Sequence, residues 1–127
     1  MVINKKILVC DDEAPIRRVV ELKLKNAGYE VLSAGDGEEG LRIIETEKPD
    51  AVITDINMPR MDGRQMCERS NLLKQERPFL TVIMTARILP EEQQWIKTMQ
   101  ETIFMEKPFS PGRLLESIDR YFGVKRS

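Results

Sequence analysis

Short apolar runs alternate along the chain with longer stretches in which apolar residues recur at helical spacing. Residues 7–10 (ILVC), 51–54 (AVIT), 80–84 (LTVIM) and 103–105 (IFM) show little polar alternation, which predicts strands buried on both faces. Residues 29–34 are more polar and suit an edge strand. Ile16, Val19, Val20, Lys23, Leu24 and Ala27 trace one helical stripe, with the aliphatic stem of Lys23 as its amphipathic member and Gly28 placed to end the helix. A second helix is expected from near Gly37, carrying Leu41, Ile43 and Ile44. A third follows Asp62-Gly63 and includes Met66, Cys67 and Leu73. The fourth, over residues 91–99, offers Trp95, Ile96 and Met99 just after Pro90. The last has Ser110 as N-cap, Pro111 at its first position, a stripe of Leu114, Leu115, Ile118, Tyr121 and Phe122, and Gly123 as its stop.

This strand–helix rhythm predicts an α/β fold: a doubly wound, flavodoxin-like, five-stranded parallel sheet of order 2-1-3-4-5 with helices on both faces. In that order the ligand crevice lies at the carboxyl ends of strands 1 and 3. No linker, low-complexity tract or repeat interrupts the pattern, and 127 residues with 41% hydrophobic content suit one domain over 1–127, with a core over about 6–122.

Charge narrows the functions available. A net charge of -1, from 20 basic and 21 acidic residues, leaves no cationic excess for nucleic acid or an anionic membrane, so neither is an expected partner of this chain alone. No apolar run approaches the ~18 residues of a membrane span, the start runs into a strand, and two cysteines suggest no disulfide framework; a soluble protein of the reducing cytoplasm is expected. The absence of histidine removes Ser-His-Asp triads, histidine metal sites and histidine phosphorelay chemistry, which leaves carboxylates, hydroxyls and lysine.

Those groups stand at strand ends: Asp11-Asp12-Glu13 after strand 1, Asp55 after strand 3, Thr85 after strand 4, and Lys107-Pro108 after strand 5. Taken singly, each has an ordinary explanation. Asp12 can cap the first helix, Asp55 can form a turn before Pro59, Thr85 can bond backbone, and Lys107 can be a solvated lysine. Their coincidence on four strand ends that the fold gathers favours a site. Two carboxylates ~4 Å apart repel by about 4 kcal/mol at an effective dielectric near 20, so Asp11, Asp12 and Asp55 together need more than one lysine to balance them. An all-oxygen site of this kind suits Mg2+; calcium is disfavoured because the loop lacks the ligand run of an EF-hand. Beside such an ion an ionised Asp is a feasible nucleophile toward phosphorus, with lysine and hydroxyl stabilising charge on the phosphoryl oxygens.

The segments Ile7-Leu-Val-Cys-Asp-Asp-Glu13, Asp36-Gly37, Asp50-Ala-Val-Ile-Thr-Asp-Ile-Asn-Met-Pro-Arg-Met-Asp-Gly63, Met84-Thr-Ala86 and Glu106-Lys-Pro-Phe-Ser110 resemble the receiver domains of bacterial two-component response regulators over Lys6 to Phe122. The resemblance implies a phosphorylation-dependent signalling switch, not a turnover enzyme. Asp55 is then the phosphoacceptor, Asp12 and Asp55 bind Mg2+ directly with the backbone carbonyl of Asn57, and Asp11 holds the ion largely through water. Lys107, Thr85 and Ala86 contact the phosphoryl group, and Lys107-Pro108 is similar to a peptide bond the family holds cis. Asn57 and Arg87 resemble positions that border the path of attacking water, and Phe104 stands where the family carries a switching aromatic. The implied donor is a phosphohistidine on a sensor histidine kinase or histidine phosphotransfer protein, and the implied output surface, for a homodimer or effector, is helix 4, strand 5 and helix 5. One departure lies before strand 5, where Met99-Gln-Glu-Thr102 replaces a small Gly-Ala-Asp-like turn.

Three other functions use related chemistry or the same fold. A haloacid-dehalogenase-type phosphatase wants Asp-x-Asp after the first strand, whereas Asp55-Ile-Asn57 follows the third. A flavodoxin-like electron carrier needs a hydroxyl-rich and Gly-rich phosphate loop where this chain has three acids. A degenerate receiver acting only as an interaction module is the alternative that the intact Asp11, Asp12, Asp55, Thr85 and Lys107 argue against.

Overall fold

A computed structural model describes residues 2–126. Five strands, β1 (Lys6–Cys10), β2 (Glu30–Ala34), β3 (Ala51–Asp55), β4 (Leu80–Thr85) and β5 (Thr102–Glu106), form one parallel sheet in the order β2-β1-β3-β4-β5. Between and after them run α1 (Ala14–Asn26), α2 (Gly37–Glu47), α3 (Gly63–Ser70), α4 (Pro90–Ile96) and α5 (Pro111–Phe122).

The period of two in a strand sends alternate side chains to opposite faces, and the core divides accordingly. Ile7, Val9, Ile53, Val82 and Met84 meet Val20 and Leu24 of α1 and Leu114 and Ile118 of α5. On the other face Leu8, Cys10 and Val52 meet Ile44 of α2 and Met66 of α3. Ile83 packs beside Cys67 of α3 and Trp95 of α4. Both cysteines are buried and free; burial pushes the Cys10 thiol far up and that of Cys67 up to about 12, so neither forms a thiolate readily.

Two glycines owe their place to close approach rather than to backbone angle. A Cβ on Gly37 would stand 2.0 Å from the carbonyl oxygen of Met61, and one on Gly63 would stand 2.1 Å from that of Asp55. Helices α2 and α3 can therefore start against the loop that follows β3 only with glycine at their first residues. Asp36 caps α2 by accepting from Glu39 N–H, and Asp62 caps α3 in a reciprocal box with Gln65.

Several expectations need correction. Strand 5 is not buried on both faces: Ile103 is exposed, while Phe104 and Met105 are half-buried, because β5 ends the sheet and has a neighbour only in β4. On α1, Val19 and Lys23 face solvent; the buried stripe is Val20, Leu24 and Ala27, one turn apart on the side facing the sheet. Helix α3 stops at Ser70, so Leu73 falls in a 3-10 turn over Asn71–Gln75, and α4 stops at Ile96, short of Met99. Asp12 is not the cap of α1; Glu13 takes the N-cap position without a side-chain cap bond.

Candidate functional site

The carboxyl ends of β1 and β3 bring Asp11, Asp12, Glu13 and Asp55 together, with a carboxylate oxygen from each lying within 4.8 Å of all the others. Asp11 is fully buried and Asp55 nearly so, whereas Asp12 and Glu13 are open to solvent. Each inner acid is held by main chain close in sequence. Asp11 Oδ1 accepts from Glu13 N–H at 2.9 Å, and Asp55 Oδ1 accepts from Ile56 N–H at 2.7 Å. Asp55 Oδ2 accepts from the Lys107 ammonium at 3.3 Å. Asp11 Oδ2 is buried and has no partner among the described residues.

Burial, with the Asp55 charge adding to it, pushes the Asp11 carboxyl above its ordinary range against the pull of the Glu13 N–H and Lys107. A buried acceptor without a donor, among four acids and one lysine, is the signature of a site short of positive charge. The donor set is all oxygen, which suits a hard divalent ion such as Mg2+.

Thr85 is buried at the end of β4, and its hydroxyl donates to the Arg87 carbonyl at 3.0 Å. Its own carbonyl accepts from Lys107 N–H at 2.6 Å, which ties the end of β4 to the loop carrying the lysine. The Lys107–Pro108 peptide is cis. Asn57, Ala86 and Arg87 lie exposed on the loops after β3 and β4. Phe104 is half-buried, with its ring 6.2 Å from that of Trp95 at 42°.

Two neighbours of the cluster carry no role that their sequence positions assign. Glu13 is the last of three consecutive acids, and its carboxylate oxygen lies with those of Asp11, Asp12 and Asp55. Arg17 donates to the Asp11 carbonyl at 2.6 Å and pairs with Glu21 at 3.6 Å. Its one available signal was its place a turn and a half beyond Asp11, on the helix that the acids lead into.

The chain belongs to the response regulator receiver domain family, whose model matches residues 7–119. Receiver domains of this family are phosphorylation-dependent signalling switches of two-component systems, not turnover enzymes. The chain is 38% identical over 112 residues to the alkaline phosphatase synthesis transcriptional regulatory protein PhoP of Bacillus subtilis (strain 168), a match covering 85% of this chain and 44% of that protein. It thus spans less than half the length of that curated relative. The structure resembles that of the Vibrio cholerae chemotaxis protein CheY4, with a TM-score of 0.82 and 34% identity over 91% of this chain and 97% of CheY4. The receiver domain of the sensor histidine kinase PA1611 from Pseudomonas aeruginosa PAO1 has a magnesium ion coordinated in its active site cleft. It shares the fold at a TM-score of 0.82 and 24% identity, over 95% of this chain and 99% of that one. Among the described residues no helix is long and apolar enough to cross a membrane.

Proposed function

We propose that the chain acts as one receiver domain that accepts a phosphoryl group on Asp55, from a phosphohistidine of a sensor histidine kinase or histidine phosphotransfer protein, with Mg2+ held by the acidic cluster. The observation that carries this reading is the Asp55 carboxylate, fixed between Ile56 N–H and Lys107 and set among three further acids at the carboxyl edge of the sheet.

Asp12, Asp55 and the backbone carbonyl of Asn57 would hold the ion, with Asp11 acting mainly through water and Glu13 near enough to join. When bound, the ion supplies the positive charge that the four acids need and stabilises charge on the transferring phosphoryl oxygens. An Asp55 oxygen forms the new O–P bond as the N–P bond of the phosphohistidine breaks, and the imidazole leaves with the bonding pair. Lys107 stands beside that carboxylate to balance the incoming charge. Asn57 and Arg87, exposed beside the pocket, border the approach of water and tune how long the phosphoryl group lasts.

The signal leaves through Thr85. In the structure its hydroxyl is spent on the Arg87 carbonyl, a neutral bond. A phosphoryl oxygen offers a charge-assisted bond, roughly twice as strong, so Thr85 turns inward, Ala86 follows, and the loop into α4 moves. Phe104, half-buried against Trp95, then completes its burial, and the face of α4, β5 and α5 presents a different surface to a homodimer or effector partner. A cytoplasmic setting suits a histidine-kinase partner.

Titration calorimetry with Mg2+ tests the metal assignment: Asp12→Asn should bind at least ten-fold more weakly, and parent-like affinity would remove Asp12 from the site. Amide NMR with and without beryllofluoride tests the route. Shifts should reach α4 and β5 in the parent and stay within the acidic pocket in Thr85→Ala; a parent response confined to the pocket would overturn it.

A further inference from the structure

Lysine is almost never fully buried without a charged partner, yet Lys74 is 3% exposed and forms no ion pair among the described residues. Its ammonium instead spans 26 residues of sequence to donate to the Gln100 carbonyl. It also donates to Thr102 Oγ1 at 3.0 Å and reaches the Glu101 carbonyl at 3.4 Å. Three donors meet three acceptors, and the ring of Phe79 closes one side with its centroid 4.9 Å from the nitrogen. The same 3-10 turn contributes a second hold, since Asn71 Oδ1 accepts from Gln100 N–H at 3.0 Å.

The segment so gripped is the turn between α4 and β5. Glu101 lies there at φ 48, in the left-handed region that a non-glycine residue enters only when its surroundings hold it. Its carbonyl also accepts from Thr81 N–H at 2.8 Å, the first rung between β4 and β5. The titratable groups facing the ammonium are Glu101 from the turn and, from α3, the Cys67 thiol, which burial keeps neutral. Burial pushes Lys74 down to about 8, so the three donors are in place at neutral pH.

We propose that Lys74 is a positioning residue of the switch: its buried ammonium anchors the α4–β5 turn, so that a displacement of the loop after Thr85 swings α4 and Trp95 about a fixed far end. This rests on the reading of Asp55 as phosphoacceptor. With one end of α4 held, movement at the other is converted into rotation of the helix. With that end released, the same movement is absorbed in the turn and does not reach Trp95 and Phe104.

The test compares the parent with Lys74→Met, which keeps the apolar stem and removes the donors, and with Lys74→Arg. Two readouts are used: amide hydrogen exchange at Gln100, Glu101 and Thr102 without any phosphodonor, and the change in Trp95 fluorescence on adding beryllofluoride with Mg2+. Lys74→Met should exchange at those amides at least ten-fold faster and lose two thirds or more of the Trp95 change, while phosphoramidate still labels Asp55. Lys74→Arg should recover part of both. A folded, labelled Lys74→Met with parent-like exchange or a full Trp95 response would overturn the proposal. Should Lys74→Met not fold, Asn71→Ala loosens the same turn from its accessible side and must show both effects in milder form. A parent that is never labelled at Asp55 would overturn the phosphoacceptor reading and with it the role in switching, while the exchange arm would still decide whether Lys74 anchors the turn.

Discussion

Replacing Asp11 by Asn should stabilise the protein in the absence of metal, although Asp11 is fully buried and hydrogen-bonded. Its carboxylate sits in a group whose oxygens lie within 4.8 Å, and at that separation two unit charges repel by about 3.5 kcal/mol at an effective dielectric near 20. Lys107, 3.3 Å from Asp55, offsets part of this, and water around the exposed Asp12 and Glu13 screens more, which leaves roughly 2 kcal/mol to be recovered. Asn keeps an oxygen to accept from Glu13 N–H and places an NH2 donor where Asp11 Oδ2 now has no partner. The assay is urea unfolding in a chelator and again in Mg2+. Without metal the variant should be about 2 kcal/mol more stable than the parent. With metal at 100 times the parent's dissociation constant the parent gains about 2.7 kcal/mol by mass action, and the variant, lacking that charge, gains less, so the order closes or reverses. A variant less stable than the parent in the chelator would show that the cluster is not under electrostatic strain, and the argument for a cation would fail with it.

Gly63→Ala places a methyl group 2.1 Å from the Asp55 carbonyl oxygen, so α3 or the end of β3 must move; a loss of about 1–3 kcal/mol in urea unfolding is expected, together with weaker Mg2+ binding. A variant with parent-like values in both would show that the approach is slack. Near the chain's end, burial pushes the Asp119 carboxyl up, but bonds from Arg126 at 2.7 Å and Tyr29 at 2.7 Å outweigh it and hold the group below its ordinary 3.8. Its contribution is therefore present above about pH 3.8 and lost as pH falls further; Arg126→Gln should raise the midpoint of acid unfolding, and an unchanged midpoint would refute the linkage. Lys74 is also held down, but here the charged form carries a cost rather than a gain. Its ammonium is held near 8 in the fold against an ordinary 10.5, so the cost of burying it is full below pH 8 and is relieved as pH rises to 10.5. Over that interval the parent should gain up to about 3 kcal/mol relative to Lys74→Met; a constant difference between the two would contradict it.

The elements were legible because each carries its own local signal. Four apolar runs, the Ser110 cap with Pro111 at the start of α5, and Gly123 after it mark boundaries that depend on neighbours in sequence, and the βα rhythm then fixes the strand order. The meeting of Asp11, Asp12, Asp55 and Lys107 followed from strand order, since Asp55 ends β3 and the other three stand one or two residues beyond a strand end. What could not be read depends on contacts across the chain. Ile103 looks as apolar as Ile53; the strand order puts β5 at the edge, but the apolar run by itself does not show which of its residues is left uncovered there. Val19 shares a period with Val20 but lies about 100° round the helix, and which of them meets the sheet is decided by how α1 docks. Lys74, Arg17 and Arg126 are ordinary cations in the sequence. Their partners, 26 residues away for Lys74 and 99 for the bond from Arg126 to the Ala27 carbonyl, leave no periodic trace.

Asp55 as the acceptor of the phosphoryl group is open to a direct chemical test. Incubation with phosphoramidate and Mg2+, reduction of the acyl phosphate with borohydride, and peptide mass spectrometry locate the modified carboxyl directly. Reduction is expected at Asp55 alone, dependent on Mg2+ and absent from Asp55→Asn. Equal labelling of the Asn variant, or reduction at Asp11, Asp12 or Glu13 in the parent, would contradict it.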